Sequence, residues 1–145
     1  MRWQNVAVAI VVIAVIAVLV WALTRRSYYA SSSHPVLDIV RSNFTRLDPS
    51  YANIPLSEAD SSYTENKSTI TLCLKNKSGR YYDINTVMYV ALHELAHVLS
   101  HTHGHGDEFR QNFADLLRRG AAAGIYDPRQ PIPATYCGVG GESGG

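Results

Sequence analysis

The sequence predicts an α+β fold, a small sheet packed on one central helix and preceded by a single transmembrane helix. Three observations predict it. An unbroken apolar run extends from Val6 to Leu23; Thr69-Ile70-Thr71-Leu72-Cys73-Leu74 is β-branched and alternating; and helical periodicity flanks a glycine-bracketed, histidine-rich turn. With 145 residues there is room for one modest domain and an appendage.

The appendage comes first. No charge stands between Trp3 and Thr24. At about 1.5 Å per residue, Val6 to Leu23 spans roughly 27 Å, close to a bilayer's hydrocarbon thickness. Trp3 and Trp21 stand near its ends, where amphipathic rings favour the interface. A cleaved signal peptide is the rival reading. Its apolar region would be shorter and closed by small residues, whereas Trp21-Ala22-Leu23-Thr24-Arg25-Arg26 follows here. Residues 1–26 are therefore expected to be an uncleaved anchor and the protein a single-pass membrane protein. Arg25 and Arg26 favour a cytoplasmic domain. The sequons at Asn43, Asn66 and Asn76 point to the other side, which leaves the topology open.

Residues 27–34 are polar and Ser-rich, a short linker. The domain is expected at 35–136. Pro35 opens a helix whose stripe is Val36, Leu37, Val40, Phe44 and Leu47, ending at Asp48-Pro49. Residues 51–66 read as loop. Thr69 to Leu74 is the strand, followed by a turn at Asn76-Lys77-Ser78-Gly79. Asp83 or Asn85 caps the next helix, which is apolar on nearly every side except at His93, Glu94 and His97. Asp107 to Arg119 is amphipathic, with Phe109, Phe113, Leu116 and Leu117 as its stripe. Residues 137–145 read as a flexible Gly-rich tail. Cys73 and Cys137 form one disulfide or stay free thiols; neither belongs to a Cys-x-x-Cys pair, which argues against a separate structural zinc site.

Charge excludes one class of partner. The chain carries 13 Lys and Arg against 12 Asp and Glu, and Arg2, Arg25 and Arg26 flank the apolar run. The rest is near neutral and slightly acidic, without the footprint of a general nucleic-acid binder. Lys67, Lys75, Lys77 and Arg80 cluster locally, as a solvated strand face does.

The chemistry lies in His93-Glu94-Leu95-Ala96-His97. Residues four apart on a helix face one side, so both imidazoles can meet one ion at about 2.0–2.1 Å with positions left open. In His-Glu-x-x-His helices the Glu takes a proton from water that zinc has acidified to a pKa of about 7. The rival reading is a set of satisfied core or surface histidines. A catalytic zinc wants a third protein ligand. His101 continues the helical stripe, but about 12 Å along the axis from His93, too far to share its ion. His103 stands at the metzincin spacing, although Ser100 replaces the glycine of that pattern and no methionine follows. His105 introduces Gly106-Asp107-Glu108-Phe109, where the next helix would hold it. His105 is favoured and His103 remains the alternative.

The run from Ile70 to Phe113 resembles the minimal zincin core of the WLM and SprT-like metallopeptidases. The resemblance covers about a third of the chain, and only His-Glu-x-x-His is highly specific. It implies a zincin-like fold, with a histidine followed four residues later by an aromatic as third ligand, hence His105 with Phe109 as its packing partner. It also implies that the strand around Thr71 to Leu74 is the edge beside the cleft, where substrate pairs as an added strand. Relatives of this kind often act on DNA–protein crosslinks through DNA-binding appendages. An anchor stands in that place here, so no nucleic-acid partner is expected. The anchored layout also resembles small metallopeptidases of large DNA viruses and protists.

The resulting expectation is a zinc metalloendopeptidase. His93, His97 and His105 hold Zn²⁺, Glu94 is general base and then general acid, and the substrate is a protein or peptide. The alternative is an inactive zinc-binding module, membrane-tethered for interaction or structural in a virion. Tyr126 is a candidate oxyanion stabiliser against a plain packing role, and Asp115 a candidate to orient a ligand imidazole against a solvated helix position. Tyr81 and Tyr82 are expected to pack at the entrance of the active helix.

Overall fold

The computed structural model describes residues 2–30, 34–137 and 139–140, with side chains described at 3, 8, 10–22 and 34–137. Two units result, Met1–Ser33 and His34–Gly145.

In the first unit, helix α1 runs Arg2–Ala30, free of Gly and Pro. Its described side chains are exposed. Among the described residues no helix is long and apolar enough to cross a membrane. This overturns the transmembrane anchor expected at 1–26, and with it the single-pass membrane localisation. Helix α1 also continues to Ala30, into the stretch read as a linker, while residues 31–33 of that stretch lie outside the described residues.

The second unit opens with α2, Pro35–Leu47, whose spacing buries Leu37, Val40 and Phe44 on one face. His34 Nδ1 accepts from the Val36 N–H at 3.3 Å. The helix stops at Asp48, because a residue before proline is driven to extended backbone. A 3-10 turn, Pro49–Asn53, leads into the sheet.

Three short strands form that sheet: β1 Leu56–Glu58, β2 Tyr63–Glu65 and β3 Thr69–Leu72. The order is β1-β3-β2, with β1 parallel and β2 antiparallel to β3. Two sequence expectations change here. Residues 51–66 are not all loop, since β1 and β2 lie within them; three residues are too few for a period of two to be read. And β3 is the middle strand, buried at Ile70, Thr71 and Leu72, so the edges belong to β1 and β2 instead. Asn66 and Lys67 join β2 to β3 with φ of 49° and 52°, and Ser68 N–H donates to Glu65 O at 3.0 Å. Left-handed backbone at both central residues is the tight hairpin turn that matches strand twist.

Helix α3, Ile84–Leu99, is the centre of the core. Asp83 caps it, accepting from Thr86 N–H at 3.0 Å and Thr86 Oγ1 at 2.6 Å. Val87, Met88, Ala91, Leu92, Leu95 and Ala96 are wholly buried. Helix α4, Asp107–Ala122, runs beyond Arg119 and lays Phe109 and Leu116 against α3. Gly120 permits that approach, since a Cβ there would stand 3.1 Å from Leu92 Cδ1. Strands β4, Thr135–Tyr136, and β5, Val139–Gly140, close a small hairpin. Cys137 within it is disulfide-bonded to Cys73, with Cα atoms 6.3 Å apart. The tail expected to be flexible from 137 is therefore tied down at its start; residues 138 and 141–145 lie outside the described residues.

Candidate metal centre

Helix α3 sets His93 and His97 one turn apart, and the turn from Ser100 to Gly106 folds back to bring His105 to them. Gly104, at φ +76°, makes that reversal possible at a backbone angle that side chains resist. One ligand nitrogen from each of His93, His97 and His105 lies within 4.8 Å of the others, close enough to hold one metal ion. The three rings form a near-equilateral triangle, each pair 5.0 Å apart between centroids. His93 Nε2 and His105 Nε2 stand 3.2 Å apart.

Phe109 supports the triangle. Its ring stacks on His97 at 4.3 Å and meets His93 and His105 edge-on at 4.9 Å and 4.7 Å. A side chain expected to pack against one histidine thus touches all three. Phe113 adds a second edge contact to His93, at 5.1 Å.

Burial sets the electrostatics. It pushes His93 down to about 3, helped by the neighbouring His97 and His105, and it lowers His97, helped by His105 and Lys67. Neutral imidazoles at physiological pH keep lone pairs for a cation. His97 Nε2 is buried with no hydrogen-bond partner, a costly arrangement that a bound cation would relieve. Glu94 is buried on the same helix, and desolvation raises its carboxyl to about 7 against the lowering effect of Thr64. The Thr64 hydroxyl lies 2.8 Å from Glu94 Oε2 and 3.0 Å from the Glu94 carbonyl oxygen.

The turn that carries His105 is held from two directions. Glu108 accepts from the N–H groups of His101 and Thr102 at 3.0 Å each, from Thr102 Oγ1 at 3.0 Å, and pairs with His101 Nδ1 at 2.8 Å. Those bonds, the His101 N–H first, hold its carboxyl down at about 2. From the sheet, Lys67 Nζ donates to Ser100 O at 2.7 Å, to Thr102 O at 2.8 Å and to His101 O. Thr64, Lys67 and Glu108 were not legible as site residues. Thr64 sits in a strand too short to recognise, Lys67 reads as one of several surface lysines, and an acid in a helix's first turn is commonplace.

The remaining candidates fall elsewhere. His101 belongs to the Glu108 clamp, and His103 is exposed and outside the three-histidine group. Tyr126 packs on Tyr89 at 5.9 Å and Tyr89 on Phe113 at 5.4 Å, and Phe113 in turn meets His93. Asp115 pairs with Arg118 and, at 3.6 Å, with Arg119. Tyr81 bonds His34 at 2.7 Å, and Tyr82 stacks on Tyr136 at 4.6 Å.

Fold and site together define a small α+β domain in which a His-Glu-x-x-His helix and a following turn assemble a three-histidine metal-binding cluster. The chain is 40% identical over 126 residues to uncharacterized protein 042R of Invertebrate iridescent virus 3, covering 83% of this chain and 77% of that one. It belongs to that protein's family. It is also 42% identical over 89 residues to uncharacterized protein 136R of Invertebrate iridescent virus 6, and 38% identical over 92 residues to uncharacterized protein R325 of Acanthamoeba polyphaga mimivirus. Those matches cover 59% and 61% of this chain and about half the length of each relative, 50% and 47%. No family model and no solved structure matches the chain.

Proposed function

We propose that the protein is a zinc metallopeptidase of the zincin type, with His93, His97 and His105 as the zinc ligands and Glu94 as the proton-transfer group. The observation that carries this reading is the pairing of a three-imidazole cluster with a buried carboxylate on the helix that carries two of the imidazoles, next in sequence to His93. Three imidazole nitrogens suit a borderline cation such as zinc, and both cysteines are committed to a disulfide rather than to a metal. When bound, the ion supplies Lewis acidity, lowering the pKa of water toward about 7 and polarising a carbonyl.

The chain's own residues supply the rest. Glu94, raised to about 7 by burial, is poised to take a proton from the attacking water and hand it to the amide nitrogen that leaves. Thr64 holds the carboxylate in place. Phe109 keeps the three imidazoles in one arrangement. Strand β2 is an edge of the sheet, joined to Glu94 through Thr64, so a peptide added along it would enter extended. Substrate is accordingly an unfolded protein segment or a peptide.

The test is hydrolysis of a reduced, unfolded protein by the full chain loaded with one equivalent of zinc. Cleavage should stop with a chelator and return with zinc. Glu94→Gln should retain zinc and lose about 10²–10⁴-fold in rate, the range for a general base, while His97→Ala should lose the metal. Stoichiometric zinc with no cleavage of any unfolded substrate would overturn the peptidase reading and leave a metal-held binding module.

A further inference from the structure

We propose that Lys67 is a positioning residue for the third metal ligand, holding from the sheet the turn that delivers His105 to His93 and His97. The inference rests on the metal-site reading above and extends it to a residue outside the histidine motif.

Three observations carry it. The ammonium gathers three consecutive carbonyls, Ser100, His101 and Thr102, which are the C-cap of α3 and the start of the return loop. A cation is favoured there, where a helix leaves carbonyls without partners. The reach is across the fold, from the tip of the β2–β3 hairpin to residues more than thirty positions on, with separations of 33 and 35 to Ser100 and Thr102. And Glu108 takes the opposite set of groups on the same turn, the N–H donors of His101 and Thr102. One side chain holds the carbonyls and another the amides, so the path from His97 to His105 has little freedom. Ser100 completes the lock, donating its hydroxyl to Ala96 O at 2.7 Å and accepting from Asn112 Nδ2 at 3.0 Å.

This arrangement explains why a histidine on an exposed, glycine-bracketed turn can serve as a defined ligand. Two ligands come from one rigid helix. The third depends on a loop, and a loop ligand is only as well placed as its supports.

Lys67 can be tested without disturbing the hairpin that carries it. It occupies a left-handed position after Asn66, so Lys67→Gly makes Asn-Gly, the pair that this turn favours most. The substitution removes the ammonium and keeps or strengthens the hairpin. Lys67→Asn, which also tolerates that backbone, is the second variant. Zinc affinity of the full chain is measured by competition with a chromophoric chelator, alongside thermal unfolding of the metal-free protein.

We expect folding to be retained and zinc affinity to fall about 10–100-fold, the usual cost of losing a support behind a ligand. In a His105→Ala background, Lys67→Gly should cause no further loss, because its effect passes through His105. Unchanged affinity in a folded Lys67→Gly or Lys67→Asn protein overturns the proposal, and so does a loss that simply adds to that of His105→Ala. Absence of zinc binding by the unsubstituted chain would instead overturn the metal-site reading itself, so the two failures are distinguishable.

Discussion

The Thr64 hydroxyl sits 2.8 Å from Glu94 Oε2, tying the edge strand of the sheet to the buried carboxylate of the central helix. Burial raises Glu94 to about 7 and this contact opposes the rise. Thr64→Val keeps the shape and removes the hydroxyl, so the Glu94 pKa should climb further above 7. On the proposed peptidase reading, the acid limb of hydrolysis should then move to higher pH with metal content unchanged. A pH–rate profile of the two proteins checks this; an acid limb that stays or moves down contradicts the assigned contact.

Phe109 touches all three imidazoles and is 3% exposed. Phe109→Ala should cost about 3–5 kcal/mol, as deletion of a buried ring does. Phe109→Leu retains most of the volume and should keep the fold while weakening zinc binding. Denaturant titration of the metal-free proteins and chelator competition separate the two effects.

Glu108 gives a pH dependence with a definite sign. Its folded carboxyl is held at about 2 against an ordinary value of 4.5, so between those values the unfolded chain binds more protons than the folded one. The contribution is therefore complete above about 4.5 and is lost as pH falls toward 2. Melting temperatures of the metal-free protein should decline across that window, less steeply for Glu108→Gln. Parallel curves would mean that the clamp contributes nothing in solution.

The Cys73–Cys137 bond closes a stretch with a sequence separation of 64. Its loss by reduction or by Cys137→Ser should lower stability by about 2–4 kcal/mol. Because Tyr136 and Tyr82 pack beside it, the β4–β5 hairpin should become the first protease-sensitive segment. Limited proteolysis with and without reductant, read by mass, tests this directly.

What the sequence determined by itself was whatever a local period or a fixed spacing can encode. The amphipathic stripe of α2, the apolar surround of α3 and the capping by Asp83 are short-range features. So is the facing of His93 and His97, which follows from 3.6 residues per turn. Contacts between distant segments were beyond it. Strands β1 and β2 carry three residues each, too few for alternation to be visible, and their pairing made β3 the middle strand rather than the edge. The membrane anchor expected from the apolar run was overturned, since among the described residues no helix is long and apolar enough to cross a bilayer. A spacing argument left His103 and His105 as alternatives; the cluster formed with His105 because Gly104 reverses the chain while Glu108 and Lys67 hold the turn. Two of the three candidate ligands share a helix, so the sequence contains their geometry. The third is brought in by side chains from another helix and from a hairpin, and only the folded chain brings those together.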